Sequence, residues 1–325
     1  SREKRFNMEL TIVWMYLGFF LAAYSVIAND SIQTLGTFLS ANKADFPWYV
    51  LWFAASVMLV ISILYGWFAY DGDISYERLT RIPFQEVQWY HALAPAILLW
   101  LTRTGIPVST TFLVLSAFAS VTVLEKMLVK SIVGYGVAAI TAYLVWIVIE
   151  RIVNEKQDHP THRKFWRVSQ WVTSGWLWFA WLQHDMANIA VFLPRQLDLT
   201  NLIIVLISTI MILGYVFYTG GGKIQDVVIS KHGARFARST TIINIVYAAI
   251  LFYFKELNNL PMSTTWVFVG LLSGRELAIS SVIEDYRFKY VFPIIAKDFG
   301  KMLFGLGASV AIVLIIHQVI VPNGY

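Results

Sequence analysis

The sequence predicts an all-α integral membrane protein, with roughly 10–12 transmembrane segments in two inverted repeats that contain broken or re-entrant helices. Three observations predict this fold class: the apolar composition, the length of the uncharged runs and the presence of motifs that occur twice. Hydrophobic residues make up 58% of the 325 residues and charged residues only 14%, whereas the surface of a soluble domain is more polar. The chain is therefore expected to reside in a lipid bilayer.

Long apolar runs identify individual membrane-spanning helices. A helix needs roughly 20 apolar residues to cross about 30 Å of hydrocarbon, and several runs meet this requirement, including Trp48–Ala69, Leu128–Ile149, Leu199–Tyr218 and Lys301–Val321. These runs predict a multi-pass protein of the inner or plasma membrane. The chain contains no cysteine, so neither a disulfide nor a thiolate metal site is available.

The positive charges are spread over the chain and do not form one patch. The formal net charge is +5, but the basic residues lie in short segments between the apolar runs. This distribution is typical of topology signals and excludes a nucleic-acid partner, which would require a continuous basic surface. Acidic residues are mixed with the basic ones, so the charge pattern does not fix the orientation in the membrane.

Two motifs occur in both halves of the chain in the same order, which indicates an internal repeat. The motif AND at Ala28–Asp30 is echoed by QHDMAN at Gln183–Asn188, and this places the two aspartates 155 residues apart. The motif GIPVSTTF at Gly105–Phe112 is echoed by NLPMSTTW at Asn259–Trp266, with the serines 154 residues apart. The chain therefore divides into a first transmembrane repeat (1–150), a polar connector (151–170) and a second transmembrane repeat (171–325).

A proline precedes a Ser-Thr-Thr triplet in each half. Pro107 and Pro261 predict that a new helix begins just after them. The start of a helix carries partial positive charge and unpaired N–H groups that suit an oxyanion. Hydroxyls in membrane helices can also bond to the preceding turn, but the duplication favours a binding role. The expected substrate-binding residues are Ser109, Thr110, Thr111, Ser263, Thr264, Thr265 and Gln33.

The two aspartates are the strongest indication of a functional site. A carboxylate between membrane spans is costly and usually faces a partner in the bundle interior. A small cation such as sodium suits oxygen donors of this kind. Two other interpretations stay open, namely a proton relay that uses His184 and a plain helix cap. The expected sodium ligands are Asn29, Asp30, Asp185 and Asn188.

The four motifs together resemble the duplicated signatures of the inorganic phosphate transporter family, the Pit-type sodium–phosphate symporters. The resemblance rests on IANDSIQTLGT with HDMANIAVFLP and on GIPVSTT with NLPMSTT, and it orders the motifs along nearly the whole chain. It implies two inverted repeats, a phosphate held between them, and sodium, or protons in some members, as the driving ion. By position, the aspartate motifs match the family's acidic motif and the triplets match its hydroxyl motif.

Several positions depart from the family pattern, which marks the chain as a divergent member. The leading glycine of the acidic motif is Ile27 here, and its second asparagine is Gln33. The first asparagine in the second half is His184, and the histidine after each triplet is Phe112 or Trp266. These changes concern the substrate and the coupling ion more than the fold.

The predicted function is sodium-coupled phosphate symport with alternating access. Hydrogenphosphate is favoured over sulfate because it keeps a proton that it can donate to a carboxylate. The alternatives are a proton-coupled or sodium-coupled permease for sulfate or another oxyanion, and a phosphate channel or receptor without coupled transport. No nucleophile–base pair at usable spacing indicates an enzyme.

The expected partners are inorganic phosphate, sodium ions and the lipid bilayer. Sodium is the coupling ion, and no other cofactor is expected. The sequence does not decide between a monomer and a homodimer.

Overall fold

The computed structural model describes residues 2–103, 108–152, 162–221, 237–282 and 288–322, and these residues are predominantly helical. Two short π-helical turns, Ser25–Asp30 and Ile316–Ile320, extend the helices that precede them. The α-helices in chain order are α1 (Arg2–Tyr24), α2 (Ile32–Asn42), α3 (Trp48–Ala69), α4 (Trp89–Arg103), α5 (Thr110–Ser116), α6 (Val121–Ile152), α7 (Arg163–Asp185), α8 (Ala187–Ala190), α9 (Leu199–Tyr218), α10 (Ala237–Leu257), α11 (Thr264–Val282) and α12 (Phe288–Ile315).

Six helical segments within the described ranges are long and apolar enough to cross a membrane. Large apolar side chains such as Phe53 and Phe68, 70% and 74% exposed, point outward from α3, which only a lipid environment makes favourable over such a length. The protein is therefore an integral, multi-pass membrane protein, as its sequence predicts. The six segments are Arg2–Asp30, Trp48–Ala69, Val121–Ile149, Leu199–Tyr218, Ala237–Leu257 and Lys289–Ile320.

The packing between helices repeats from one half of the chain to the other. In the first half α1 packs on α4, and in the second half α7 packs on α10. The helices that begin at the Ser-Thr-Thr triplets, α5 and α11, which we call the triplet helices, each pack on a helix of the opposite half. The helix α5 packs on α12, and α11 packs on α6. Finally, α3 and α9, which hold equivalent places in the two halves, pack on each other. Every one of these pairings has its counterpart, so the duplicated motifs belong to duplicated helix arrangements.

Glycines on α11 allow its backbone to touch the backbone of α6. A Cβ added at Gly270 would lie 2.4 Å from the Tyr135 carbonyl oxygen, and one at Gly274 would lie 2.0 Å from that of Ala139. These two glycines are separated by three residues, which is the spacing that brings membrane helices into close contact. This contact holds the triplet helix of the second half firmly against the long helix of the first.

We expect Gly274→Ala to destabilise the protein, because the added methyl group overlaps backbone that has no side chain to move aside. Overpacking of this kind costs roughly 1–3 kcal/mol. Gly136→Ala on α6 is the matched control, since a Cβ there meets nothing within 4 Å. Thermal unfolding of the purified proteins in detergent measures the difference. Equal melting temperatures for the two variants would contradict the close packing.

The breaks in the helices lie at the predicted motifs. The π-helical turn Ser25–Asp30 adds a residue per turn ahead of α2, a feature that is frequent at functional sites. In the second half, Asn258–Ser263 is non-helical, and α11 begins directly after it. Pro107 lies outside the described residues, as do residues 153–161 of the predicted connector. The boundaries at residues 150 and 171, and the inversion of the two repeats, therefore stay predictions.

Candidate functional site

Each buried aspartate accepts a hydrogen bond from a threonine hydroxyl of its own half. The Thr110 hydroxyl donates to Oδ2 of Asp30. The Thr264 hydroxyl lies 2.8 Å from Oδ2 and 3.1 Å from Oδ1 of Asp185. The two aspartates are only 6% and 2% exposed. The acidic motif and the hydroxyl motif, about 80 residues apart in each half, thus meet at one place.

Two side-chain amides connect the halves across this place. The amide nitrogen of Gln33, in the first half, donates to Oγ1 of Thr265 in the second half at 3.0 Å. The amide nitrogen of Asn188, in the second half, donates to Oγ1 of Thr111 in the first half at 3.1 Å. Both amides lie three positions after an aspartate. The contacts are therefore reciprocal, and both motif pairs form one continuous cluster.

The amide oxygens of this cluster are poised to bind a ligand. Oε1 of Gln33 and Oδ1 of Asn188 are buried and have no hydrogen-bond partner among the described residues. A buried acceptor without a partner costs roughly 1–3 kcal/mol, and a cation would remove that cost. Carbonyl and carboxylate oxygens are the donors that hard cations prefer. The two oxygens, with Asp30 and Asp185 beside them, fit the chemistry of a small cation.

The serines of the triplets cap their helices. Oγ of Ser109 accepts from the backbone N–H of Phe112, and Oγ of Ser263 accepts from that of Trp266, both at 3.2 Å. This is the usual bond of an N-cap serine, and it aims the following threonines at the cluster. The rings of Phe112 and Trp266 contact each other with their centroids 5.4 Å apart. The positions where the resembling family has histidines therefore form an apolar contact here.

Asn29 faces a different environment from the other expected ligands. Its amide nitrogen donates to Oγ1 of Thr102 at 3.1 Å, and the side chain is half-buried. Both residues line a cavity of about 480 Å³, which we call the vestibule. Ala28 and the exposed Arg103 also belong to its wall. The vestibule thus leads from the protein surface to the residue next to Asp30.

The equivalent region of the second half is closed. Gln183 and His184 occupy the places that Ala28 and Asn29 have in the first half, and both are buried. Nε2 of His184 lies 2.7 Å from the Leu251 carbonyl oxygen, while Nδ1 has no partner among the described residues. The two halves therefore differ in access, although their inner contacts are equivalent.

Three polar residues near the cluster were not predicted from the sequence. Tyr247 is buried, and its hydroxyl donates to the Thr264 carbonyl at 3.1 Å. Arg78 and Lys130 are buried cations that bond to the backbone of the second half. Lys130 could have been noticed, since a charge inside an apolar span is a marker of function. Arg78 follows the span Trp48–Ala69, and its position in the sequence is typical of a basic residue in a loop between spans.

The fold has a counterpart among solved structures. A structure described as "The sodium-dependent phosphate transporter" is similar with a TM-score of 0.60 and 16% sequence identity, over 96% of this chain and 100% of that one. The two chains share a fold. The all-α membrane architecture expected from the duplicated motifs is thereby confirmed. No protein-family model matches the chain, and no curated protein matches it in sequence.

The arrangement combines groups for a cation with groups for an anion. Two carboxylates and two amide oxygens are suited to a cation, whereas four threonine hydroxyls can donate to an oxyanion. Each carboxylate already shares a hydrogen bond with a threonine. A cation that binds to a carboxylate would therefore alter the hydrogen bond of the threonine hydroxyl beside it.

Proposed function

We propose that this protein is a secondary transporter that moves inorganic phosphate across a membrane by sodium-coupled symport. The observation that carries the proposal is the reciprocal cluster, in which Asp30 pairs with Thr110, Asp185 pairs with Thr264, and two amides cross between the halves. The shared fold with a sodium-dependent phosphate transporter supports the same substrate and ion.

Sodium binds first in this mechanism. Its ligands are Asp30 and Asp185, with the unpaired amide oxygens of Gln33 and Asn188 completing the shell. Sequence reasoning gave Gln33 to the substrate, but its contact is equivalent to that of Asn188, so we assign both amides to the cation. Asn29, which faces the vestibule, receives the ion on its way to this site. The bound charge then offsets the repulsion between the carboxylates and an approaching anion.

Phosphate binds to the hydroxyls that sodium releases. The Thr110 and Thr264 hydroxyls donate to the aspartates in the structure. A cation on the carboxylates competes with these hydrogen bonds and frees both donors. Thr111 and Thr265 lie next to them on the same helix starts, while Ser109 and Ser263 orient the turns as caps. The Asp–Thr pairs thus make phosphate binding depend on sodium.

Alternating access follows from the difference between the halves. We propose that the repeats are inverted, so that the vestibule and the closed region beside His184 face opposite sides of the membrane. Transport then exchanges the two arrangements: the first half closes around Asn29 while the second half opens around Gln183 and His184. The paired packing of α5 on α12 and of α11 on α6 allows both halves to make the same movement.

Uptake by reconstituted protein tests the proposal. Protein in liposomes should accumulate labelled phosphate when a sodium gradient points inward, and accumulation should stop when potassium replaces sodium on both sides. An excess of unlabelled phosphate should compete strongly and sulfate weakly, since sulfate has no proton to donate to the aspartates. Uptake without any ion gradient dependence would contradict symport.

A proton-coupled oxyanion permease is the alternative, and His184 favours it. The His184 ring lies next to Asp185 in the sequence and keeps one nitrogen without a partner among the described residues. A pH gradient that drives uptake in the absence of sodium would support this function. Competition by sulfate as strong as that by phosphate would broaden the substrate class.

A further inference from the structure

Arg78 joins the segment between α3 and α4 to both broken helices of the second half. The side chain is 1% exposed. Its Nε donates to the Gln183 carbonyl at 2.9 Å, and its Nη1 donates to the Leu260 carbonyl at 3.3 Å. Gln183 lies two residues before Asp185, and Leu260 directly precedes the Pro-Met-Ser-Thr-Thr motif. One guanidinium therefore bridges the ends of the two segments that carry the second half of the site.

A second buried cation shares this contact. Nζ of Lys130, on α6, donates to the same Leu260 carbonyl at 2.7 Å, and also to the carbonyl and side-chain oxygens of Asn258 at 3.1 and 2.9 Å. On the other side of Arg78, Oε2 of Glu77 accepts from the Asn259 amide at 3.3 Å. The first half thus holds the non-helical stretch before α11 at three consecutive residues.

These contacts occupy the place that the vestibule has in the first half. Ala28 lines the vestibule, and its equivalent in the second half is Gln183. The Gln183 carbonyl accepts a hydrogen bond from Arg78, and the Gln183 side chain is buried. The first half has an open cavity at this position, whereas the second half has a buried arginine and its partners.

The backbone leading to Arg78 is strained. Tyr76 and Glu77 have φ of 58° and 60°, a left-handed conformation that is uncommon for residues other than glycine. Such conformations persist only where surrounding contacts enforce them, and they are frequent in switch regions. The Tyr76 hydroxyl donates to the Ser62 carbonyl and the Glu77 N–H donates to the Asp73 carboxylate. The bonds of Arg78 and Glu77 to the second half add to these contacts, so their loss would remove part of what holds the segment.

We propose that Arg78, with Lys130, is a positioning latch that keeps the second-half pathway to the ion site closed, and that transport requires its release. The role of this latch rests on the proposed transport function, but the contacts that form it do not depend on which substrate is transported. Arginine suits this task because its planar fork can bind two carbonyls at once and it remains charged at any physiological pH. The ammonium group of a lysine lacks this rigid fork.

The absence of cysteine from the chain allows each half to be tested with one reporter thiol. Ala28→Cys reports on the vestibule and Gln183→Cys on its closed equivalent. In protein reconstituted in nanodiscs, without phosphate, a water-soluble maleimide should label Cys at position 28 quickly and at position 183 slowly. Adding Arg78→Gln should raise the rate at position 183 by at least about tenfold, equivalent to about 1.4 kcal/mol, and leave the rate at position 28 unchanged.

Arg195→Gln is the matched control. Arg195 also links this segment to the second half, because it donates to the Ile82 carbonyl at 3.3 Å and to the Val191 carbonyl at 3.4 Å, but neither contact involves Gln183 or Leu260. It should leave labelling at position 183 unaltered. A merely structural role for Arg78 predicts instead that both reporters become reactive and the melting temperature falls, and this result, like unchanged labelling at position 183, would overturn the latch.

Arg78→Lys serves where Arg78→Gln cannot be recovered as folded protein. It keeps the charge but loses the rigid fork of the guanidinium that joins the two carbonyls, so labelling at position 183 alone should rise by a smaller factor. An unchanged rate in this variant would again overturn the latch. Labelling needs no substrate, whereas phosphate uptake tests the proposed function, so each proposal can fail while the other holds.

Discussion

Asp30→Asn should strongly weaken the sodium dependence of phosphate binding while leaving the fold intact. The amide keeps the size of the side chain and one oxygen, but it loses the charge that holds the ion. Removing one charged partner costs roughly 1.5–3 kcal/mol, which corresponds to about 10- to 150-fold in sodium affinity. Sodium titrations of phosphate binding to purified protein measure this loss. The loss of phosphate affinity should shrink as sodium is raised, because sodium then fills the weakened site.

The same titrations separate sodium coupling from a proton relay. A relay predicts that Asp30→Asn, or replacement of His184 by Gln, changes the pH dependence of binding and leaves the sodium response intact. Titrations at two pH values distinguish these outcomes. Asp198→Asn is the control, since Asp198 caps α9 at the surface and asparagine caps equally well. A wild-type protein that binds phosphate without sodium would rule out the coupling mechanism.

Thr110→Val and Thr264→Val should each lower phosphate affinity by roughly 5- to 150-fold, the equivalent of about 1–3 kcal/mol for a lost buried donor. Valine keeps the shape of threonine but cannot donate a hydrogen bond. The two effects should be similar, because each threonine pairs with the aspartate of its own half. Isothermal titration with phosphate at saturating sodium gives the affinities directly.

Thr209→Val provides the matched control for the threonine variants. Thr209 is also fully buried, but its hydroxyl bonds to the Val205 and Leu206 carbonyls of its own helix, outside the cluster. Its replacement should leave phosphate affinity unchanged. Wild-type affinity in both Thr110→Val and Thr264→Val would show that the triplets do not contact the anion.

Much of the fold could be predicted because it depends on local sequence. The runs Trp48–Ala69 and Leu199–Tyr218 form helices with those bounds, since uninterrupted apolar residues in lipid must satisfy their backbone within a helix. Leu128–Ile149 and Lys301–Val321 fall almost entirely within longer helices. Their ends could not be predicted, because the polar residues that precede Leu128, such as Glu125 and Lys126, still belong to the helix.

The contacts between residues within the site were harder to predict from the sequence than the helices were. The repeated motifs identified Asp30, Asp185 and the triplets, and they place Gln33 and Asn188 at the same distance after an aspartate, but the two amides were assigned to different ligands. Their equivalence became clear only because each amide reaches the opposite half. The serines are expected to bind the anion, and only the structure shows that their hydroxyls also accept from the backbone N–H groups of Phe112 and Trp266.

The sequence by itself determined the membrane environment, the helical class, the duplication and the residues of both motifs, because composition, run length and repetition are properties of the chain alone. The tertiary structure decided which side chains meet, that access differs between the halves, and that Arg78 covers one of them. These depend on contacts between residues about 75 to 230 positions apart. Such contacts form only when helices pack, and they leave no periodic pattern along the chain.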